Sequence, residues 1–522
     1  MQQTAPRAEL LTEASALLAA GKLAEAEVVF LRLHTAYPHD ADILAMLGTI
    51  RGERSDPEGS IRYFEQAIAI NPSHAVAYCN YGTTLLALNR YDEALERLDK
   101  ALSVHPDYAE AHSSRGTVLY RLQKYPDALA SLDKAIALNP ADANALNTRA
   151  GILLAPLGRY GEALTSCNQA IAINPALHAA YNNRGIILKH MKRYDEAFAS
   201  FDKAIAMNPG YGDAYWNKGL LQLALGNYKE GWKLFEWRWK RSSQSITETR
   251  ELKAPLWLGK EPLKGKTILL HTEQGLGDCI QFCRYVPMVE ALGAEVILEV
   301  LPPLVSLMAT LSKTIRIMAC GEPLPRFDSH CPLMSLPLAF KTTLDTVPAR
   351  FPYLAAKPAK QAYWQERLGT KTKPRIGLAW SGAADHPNDH NRTMPLKLLA
   401  PLLALDYDFH SLQKQVRLSD KAFLADSNII SHADDLHDFS DTAALAIEMD
   451  MVISVDTSVA HLAGTLGKTV WIMLPHMPDF RWRVEGNYTP WYPSARLFRQ
   501  QESNDWRGVI ADIKTELQRQ LT

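Results

Sequence analysis

Three short segments of this chain gather residue types suited to holding a phosphorylated ligand. The first is Glu273-Gln274-Gly275-Leu276-Gly277-Asp278. Its glycines allow close approach to the backbone, and its carboxylate stands where a helical pattern begins. The spacing falls short of a GxGxxG fingerprint, so a dinucleotide site is not implied. Two readings of Asp278 stand: a cap on the helix that follows, or a general base facing a hydroxyl nucleophile. The second segment is Val455-Asp456-Thr457-Ser458-Val459-Ala460-His461, which ends an apolar run and opens a helix. Free N–H groups and the dipole of such a helix start attract a diphosphate, and the Thr457 and Ser458 hydroxyls are further donors. His461, one turn in, either faces the same ligand or is a packed histidine beside an ordinary Asp/Thr cap. The third is Trp380-Ser381-Gly382, leading into a polar loop through Asn388, Asp389, His390, Asn391 and Arg392. The planar Arg392 guanidinium suits bidentate contact with phosphate. A neighbouring run ends in Ser411-Leu412-Gln413-Lys414, which adds Gln413 as a polar contact and Lys414 as a counter-charge for a leaving diphosphate.

Such loops need strands before them and helices after them. TILLH (267–271), EVILEV (295–300) and IRIMA (315–319) are short, β-branched runs separated by helical patterns. The rhythm restarts at RIGLAW (375–380) and continues through DFHSL (408–412), NIIS (428–431), MVISV (451–455) and TVWIML (469–474). Strands alternating with helices predict parallel sheets, whose ligands bind at the carboxyl ends of the strands. Two Rossmann-like lobes are expected, at 241–360 and 361–522, with a charged linker (241–255) before them. His330, Cys331 and Pro332 end a further strand. Trp482, Trp491 and Tyr492 lie in a late aromatic segment that is read as packing, with the chain end crossing back to the first lobe.

Residues 1–240 follow a different period. Prolines fall at Pro38, Pro72, Pro106, Pro140, Pro175 and Pro209, spaced 34, 34, 34, 35 and 34. Proline ends a helix because it lacks an N–H and disfavours helical geometry in the residue before it. Small residues recur at fixed offsets: Gly82, Ala94, Ala101; Gly116, Ala128, Ala135; Gly185, Ala197, Ala204. The pattern resembles the tetratricopeptide repeat. About six repeats and a degenerate cap are expected, with a bulged turn near Pro156 absorbing the extra residue. At the cap Gly231 keeps the small-residue place and Arg238 replaces the last alanine. Trp232, Trp237 and Trp239 either seal the array against the next domain or belong to an ordinary capping helix. Asn80, Ser114, Thr148, Asn183 and Asn217 recur at the repeat spacing. Side-chain amides can grip an extended peptide backbone without reading its sequence; a solvated groove also favours small polar residues.

Taken together, the EQGLGD and DTSVAH segments resemble the two halves of the heptosyltransferase-type glycosyltransferases, over roughly 265–500, with Ser458 where that family usually has glycine. FHSLQK and the partial asparagine ladder resemble segments of O-GlcNAc transferases. The order of repeats, EQGLGD, WSG, HNR, DTSVAH and WYP resembles bacterial glycosyltransferases that carry tetratricopeptide repeats. The resemblance implies an α superhelix followed by an α/β GT-B fold, with donor in the second lobe and acceptor at the first. It implies a nucleotide-sugar donor (UDP-, GDP-, CMP- or ADP-linked), a protein acceptor in the repeat groove, inversion with Asp278 as base, and no required metal. Asp456 would orient the sugar or ribose. A glycan or lipid-linked acceptor, and a scaffold without catalysis, are the competing expectations.

The balance of 56 basic against 57 acidic residues does not favour nucleic acid as a partner. No apolar run approaches the ~20 residues of a membrane span, and the first residues read as an amphipathic helix. Six scattered cysteines point to a reducing cytoplasm. Cys279 and Cys283 are read as buried thiols on a helix face. Asp406-Tyr407-Asp408 is read as a turn and not a metal clamp. Repeat ends can pair, so a homodimer is possible.

Overall fold

The computed structural model describes residues 7–154, 157–241, 252–384 and 388–521. The extra residue expected near Pro156 and most of the linker lie outside them. The chain divides into two compact units, Met1–Asn208 and Pro209–Thr522.

The first unit is a stack of six antiparallel helix pairs, from Arg7–Ala19 with Leu23–Ala36 to His178–His190 with Tyr194–Met207. The turn inside each pair is closed by one residue in the left-handed region, at Gly21, Ser55, Asn89, Gln123, Gly158 and Lys192. These positions are 34, 34, 34, 35 and 34 apart, the same interval as the prolines. The small-residue positions are where helices touch. A Cβ on Gly82 would lie 2.7 Å from Leu98 Cγ, and one on Gly116 would lie 2.5 Å from Leu132 Cγ.

The seventh pair, Gly212–Ala224 and Tyr228–Phe235, belongs to the second unit. The compact units thus part at 208/209, within the 1–240 span read as repeats. The aromatic residues explain why. Trp232 is buried edge-on against Phe282, Phe480 and Trp491, at 5.7–6.3 Å. The Trp491 indole donates to Tyr228 Oη at 2.9 Å. Arg238, 1% exposed, is held by Glu236 and Glu273. Trp232 is thus a seal, while Trp237 stacks on Tyr215 at 3.8 Å.

Two wholly parallel sheets follow. The first has the order β3-β2-β1-β4, with β1 Thr267–His271, β2 Glu295–Val300, β3 Arg316–Ala319 and β4 Ser329–Pro332. The second has the order β10-β9-β8-β5-β6-β7, with β5 Arg375–Ala379, β6 Asp408–Ser411, β7 Ile429–Ser431, β8 Met451–Val455, β9 Thr469–Leu474 and β10 Ala495–Arg499. Central strands β5 and β8 are buried along their whole length, as expected for strands covered on both faces. The segment 480–492 reaches the first lobe, where the Trp491 carbonyl accepts from Arg284. The chain end does not cross back. Helix Trp506–Leu521 lays Trp506, Val509, Ile510, Ile513 and Leu517 on the second lobe's own core.

Candidate active site

The carboxyl ends of β1 and β8 face each other across the two lobes. Helix Leu276–Phe282 starts after β1, and helix Ser458–Thr465 starts after β8. They touch at a glycine: a Cβ on Gly277 would lie 2.8 Å from the His461 ring and 3.5 Å from Ser458 Cα. Here the absence of a side chain sets the lobe-to-lobe distance.

Asp278 is capped and paired. Its Oδ2 accepts the Gly275 N–H at 2.9 Å, closing the first turn of its helix. Its Oδ1 accepts from Arg481, a residue the sequence reading did not single out. Arg481 is 7% exposed and also donates to Gln281 Oε1 and, at 2.7 Å, to Asp479 Oδ1. One guanidinium from the second lobe thus grips two side chains of the first. Both oxygens of Asp278 are engaged by donors, one of them a buried cation.

The other residues of this loop divide. Gln274 and Gly275 are exposed at the loop tip. Glu273 is turned inward, 4% exposed, onto the Arg238 guanidinium at 2.9 Å. Burial pushes its carboxyl up to about 7 against the pull of that cation. Glu273 therefore holds the loop.

On the second lobe, Asp456 follows β8 with its side chain 14% exposed. Burial, and then the neighbouring Asp479 carboxylate, push it up to about 6, although Arg481 and Arg392 pull the other way. Arg392 donates to the Asp456 carbonyl at 3.1 Å and lies over Gly382, where a Cβ would sit 2.7 Å from its Nη2. Gly382, Arg392 and Asp456 are therefore brought together. Thr457 is buried with its hydroxyl 3.1 Å from Ser454 Oγ, while Ser458 is partly open at the helix start. His461 is buried, stacked on Trp482 at 5.2 Å, with Nδ1 2.9 Å from Tyr492 Oη and Nε2 3.9 Å from Asp456 Oδ1. Burial first, then Arg481, Arg284 and Arg392, hold its imidazole well below the usual range.

Two expected phosphate contacts are placed otherwise. Gln413 is a clip: its Oε1 accepts from the Trp380 and Ser381 N–H groups at 2.7 and 2.8 Å, and its Nε2 donates to Ser381 Oγ at 2.8 Å. Ser381 is thereby committed as well. Lys414 is exposed and donates to the His437 carbonyl at 2.7 Å. Arg417, which the sequence reading missed, ties the third loop by donating to Asp389 and to Thr393 Oγ1.

Asp406 pairs with Lys373 at 2.7 Å, and Asp408 begins β6, at the end of the sheet away from these loops. Cys279 and Cys283 are both buried, and burial pushes Cys283 up to about 12. Among the described residues, no group of three or more His, Cys, Asp or Glu is placed to hold a metal. No described helix is long and apolar enough to cross a membrane. In the repeat array, Asn80 Nδ2 donates to Thr49 Oγ1 at 3.0 Å, Ser114 lies 3.2 Å from Thr83 Oγ1, and Asn183 Nδ2 donates to Asn147 Oδ1 at 2.9 Å. The ladder thus links successive repeats. Asn217 lies in the second unit and is buried.

Family models for the tetratricopeptide repeat match residues 11–77, 79–143, 114–178 and 178–211. The first ~210 residues are tetratricopeptide repeats. Protein FlbA of Caulobacter vibrioides is 26% identical over 316 residues, 55% of this chain and 52% of that protein. The chain spans about half the length of that curated relative. Among solved structures, YrrB, described as a TPR protein with an unusual peptide-binding site, is 25% identical, covering 35% of this chain and 95% of its own, with a TM-score of 0.30. Pseudomonas aeruginosa pilF is 20% identical, covering 40% and 94%, with a TM-score of 0.36.

Proposed function

We propose that the second unit transfers a sugar from a nucleotide to an acceptor, on a GT-B-like pair of lobes, and that the repeats dock a protein acceptor. The observation that carries the reading is the meeting of two strand-end loops at Gly277 and His461, flanked by Arg392 and the free helix start at Ser458. A nucleotide-linked sugar binds with its phosphates at that helix start and Arg392, where fixed dipoles and a cation stabilise the departing charge. Arg392 and the backbone donors supply the counter-charge from the chain itself. Asp456 orients the sugar or ribose. Attack by an acceptor hydroxyl from the first-lobe side displaces the nucleotide directly and inverts the anomeric centre. Asp278 serves as base for that hydroxyl only once Arg481 is drawn off it.

The experiment is release of free nucleotide from UDP-, GDP-, CMP- and ADP-sugars by the purified full chain. Slow release from one donor class, lost in Arg392→Ala, is expected. Neither release nor binding with any donor would leave the repeats as a docking scaffold and end the transferase reading. A glycan acceptor, the second reading, predicts release that is unchanged by altering Asn80 and Asn183, together with transfer to free sugar acceptors.

A further inference from the structure

Tyr81, Arg115, Arg149 and Arg184 occupy one position of the repeat in the first unit, 34, 34 and 35 residues apart. The first three each reach an acid on the second helix of the preceding pair. Tyr81 Oη donates to Glu65 Oε1 at 3.0 Å. Arg115 Nε donates to Asp99 Oδ1, and its Nη1 to Ser131 Oγ, both at 2.6 Å. Arg149 repeats this arrangement with Asp133 Oδ1 and Ser166 Oγ, both at 2.7 Å. Each serine lies on the second helix of the arginine's own pair, so each arginine ties two neighbouring second helices together.

At Arg184 the ladder breaks. Asn168, on helix Tyr160–Ile173, stands where the other rungs have a carboxylate. Among the described residues the Arg184 guanidinium has no hydrogen-bond partner, and its Nε is buried. Ser200, at the place of Ser166, gives its proton to the Glu196 carbonyl at 2.8 Å and takes none from Arg184. Glu196 feels the Arg184 charge, but both of its oxygens are held by Arg193, at 2.7 and 2.8 Å. An asparagine amide cannot neutralise a guanidinium, and a buried N–H without an acceptor is costly. The position is open to solvent: the Asp99 and Asp133 side chains are 52% and 56% exposed, and Asn168 is exposed.

We propose that Arg184, between helices Tyr160–Ile173 and Tyr194–Met207, is a docking point for an acidic side chain of a partner protein. The partner's carboxylate takes the part that Asp99 and Asp133 play in the rungs before it. Charge complementarity carries the choice of occupant: a carboxylate accepts charge-assisted bonds from one guanidinium, and two rungs of this chain already use that pairing. Those two rungs are filled from within the chain, which confines the site to Arg184. The proposal shares with the proposed function only the docking of protein by the repeats. Sugar transfer plays no part in it.

The test is fluorescence anisotropy of a dye-labelled hexaglutamate peptide with the full chain. Asn168→Asp fills the rung from within, and Arg184→Gln removes its cation. Both are expected to bind the peptide about three- to tenfold more weakly than the unaltered chain. Lys100→Gln, which removes an exposed cation from another pair, is expected to lose less than about twofold. Asn168→Asp is also expected to raise the helix melt, followed by circular dichroism, by about 2–4 °C, so its weaker binding cannot come from unfolding. No binding by the unaltered chain, equal losses in Lys100→Gln and Arg184→Gln, or full binding or an unraised melt in Asn168→Asp overturns the proposal. So does displacement of the peptide by inorganic phosphate but not by free glutamate at the same concentration. No nucleotide enters this measurement, so its failure is distinct from failure of the transferase reading, which turns on nucleotide release.

Discussion

Arg481→Met removes the one charge that joins Asp278 and Gln281 of the first lobe to Asp479 of the second, and keeps a stem of similar length. Breaking a buried ion pair from one side costs about 3–5 kcal/mol. Two features lower that figure here. Asp278 and Asp479 are 18% and 32% exposed, so both regain some water. Methionine also restores packing over Phe480, which the guanidinium covers at 4.5 Å. Gln281 is fully buried and loses a donor it cannot replace from solvent. The expected cost is about 2–3 kcal/mol, or a midpoint lowered by about 3–5 °C in a unit of this size. All eleven tryptophans lie between Trp216 and Trp506, so tryptophan fluorescence follows this unit and not the first. A double cycle with Asp278→Asn isolates the pair, with an expected coupling of about 1–2 kcal/mol. A midpoint shift below about 1 °C, or strictly additive variants, refutes the idea that this contact holds the lobes.

Three further outcomes follow from the same geometry. Asp456 is raised above its unfolded value, so its burial is tolerated best when protonated, and stability is lost as pH rises through about 6; Asp456→Asn should therefore raise the fluorescence midpoint at pH 8 while abolishing nucleotide release. His410 and His432 are stacked at 5.3 Å and buried, with His410 pushed down to about 4 by burial and then by His432. That contribution is complete above the unfolded value near 6.5 and is lost as pH falls toward 4, by at most about 3 kcal/mol; His410→Phe should flatten the acid limb of a urea-midpoint series. In the first unit, Gly82→Ala sets a Cβ 2.7 Å from Leu98 and 3.2 Å from the Ala94 carbonyl, and should cost about 1–3 kcal/mol, seen as an earlier helix melt by circular dichroism with the tryptophan transition unmoved.

The repeats were legible because each 34-residue unit must end its own helices and leave room for its own neighbours, so local signals recur in register. The strands were legible for the same local reason: runs such as 267–271 and 451–455 carry consecutive apolar residues, Ile268-Leu269-Leu270 and Met451-Val452-Ile453, that are buried on both faces. β10 was missed, since Ala495–Arg499 carries two arginines and no β-branched residue. The site was legible at its glycines and at Arg392 but not at its cations from elsewhere. Arg481 and Asp278 are 203 positions apart, and Arg284 and Trp491 are 207 apart. Nothing near either arginine in sequence marks it for a cleft. Gln413 shows the converse: a polar residue at a strand end reads as a ligand contact until Trp380 and Ser381 are found to occupy it. The helix pair 212–235 keeps the repeat spacing yet clusters with the second unit, because Tyr228, Trp232 and Phe235 bury themselves against the α/β core.

The central claim, that the second unit binds a nucleotide-linked sugar between the β1 and β8 loops, is tested most directly by tryptophan-detected melting. The full chain is heated with UDP-, GDP-, CMP- and ADP-sugars, beside Arg392→Ala and Lys414→Ala. A ligand that binds only the folded state at 100 times its Kd adds about 2.7 kcal/mol. The account predicts a rise with one nucleotide class that is lost in Arg392→Ala and largely kept in Lys414→Ala, whose ammonium is occupied by the His437 carbonyl. No rise with any donor, or a rise that survives Arg392→Ala, would contradict it.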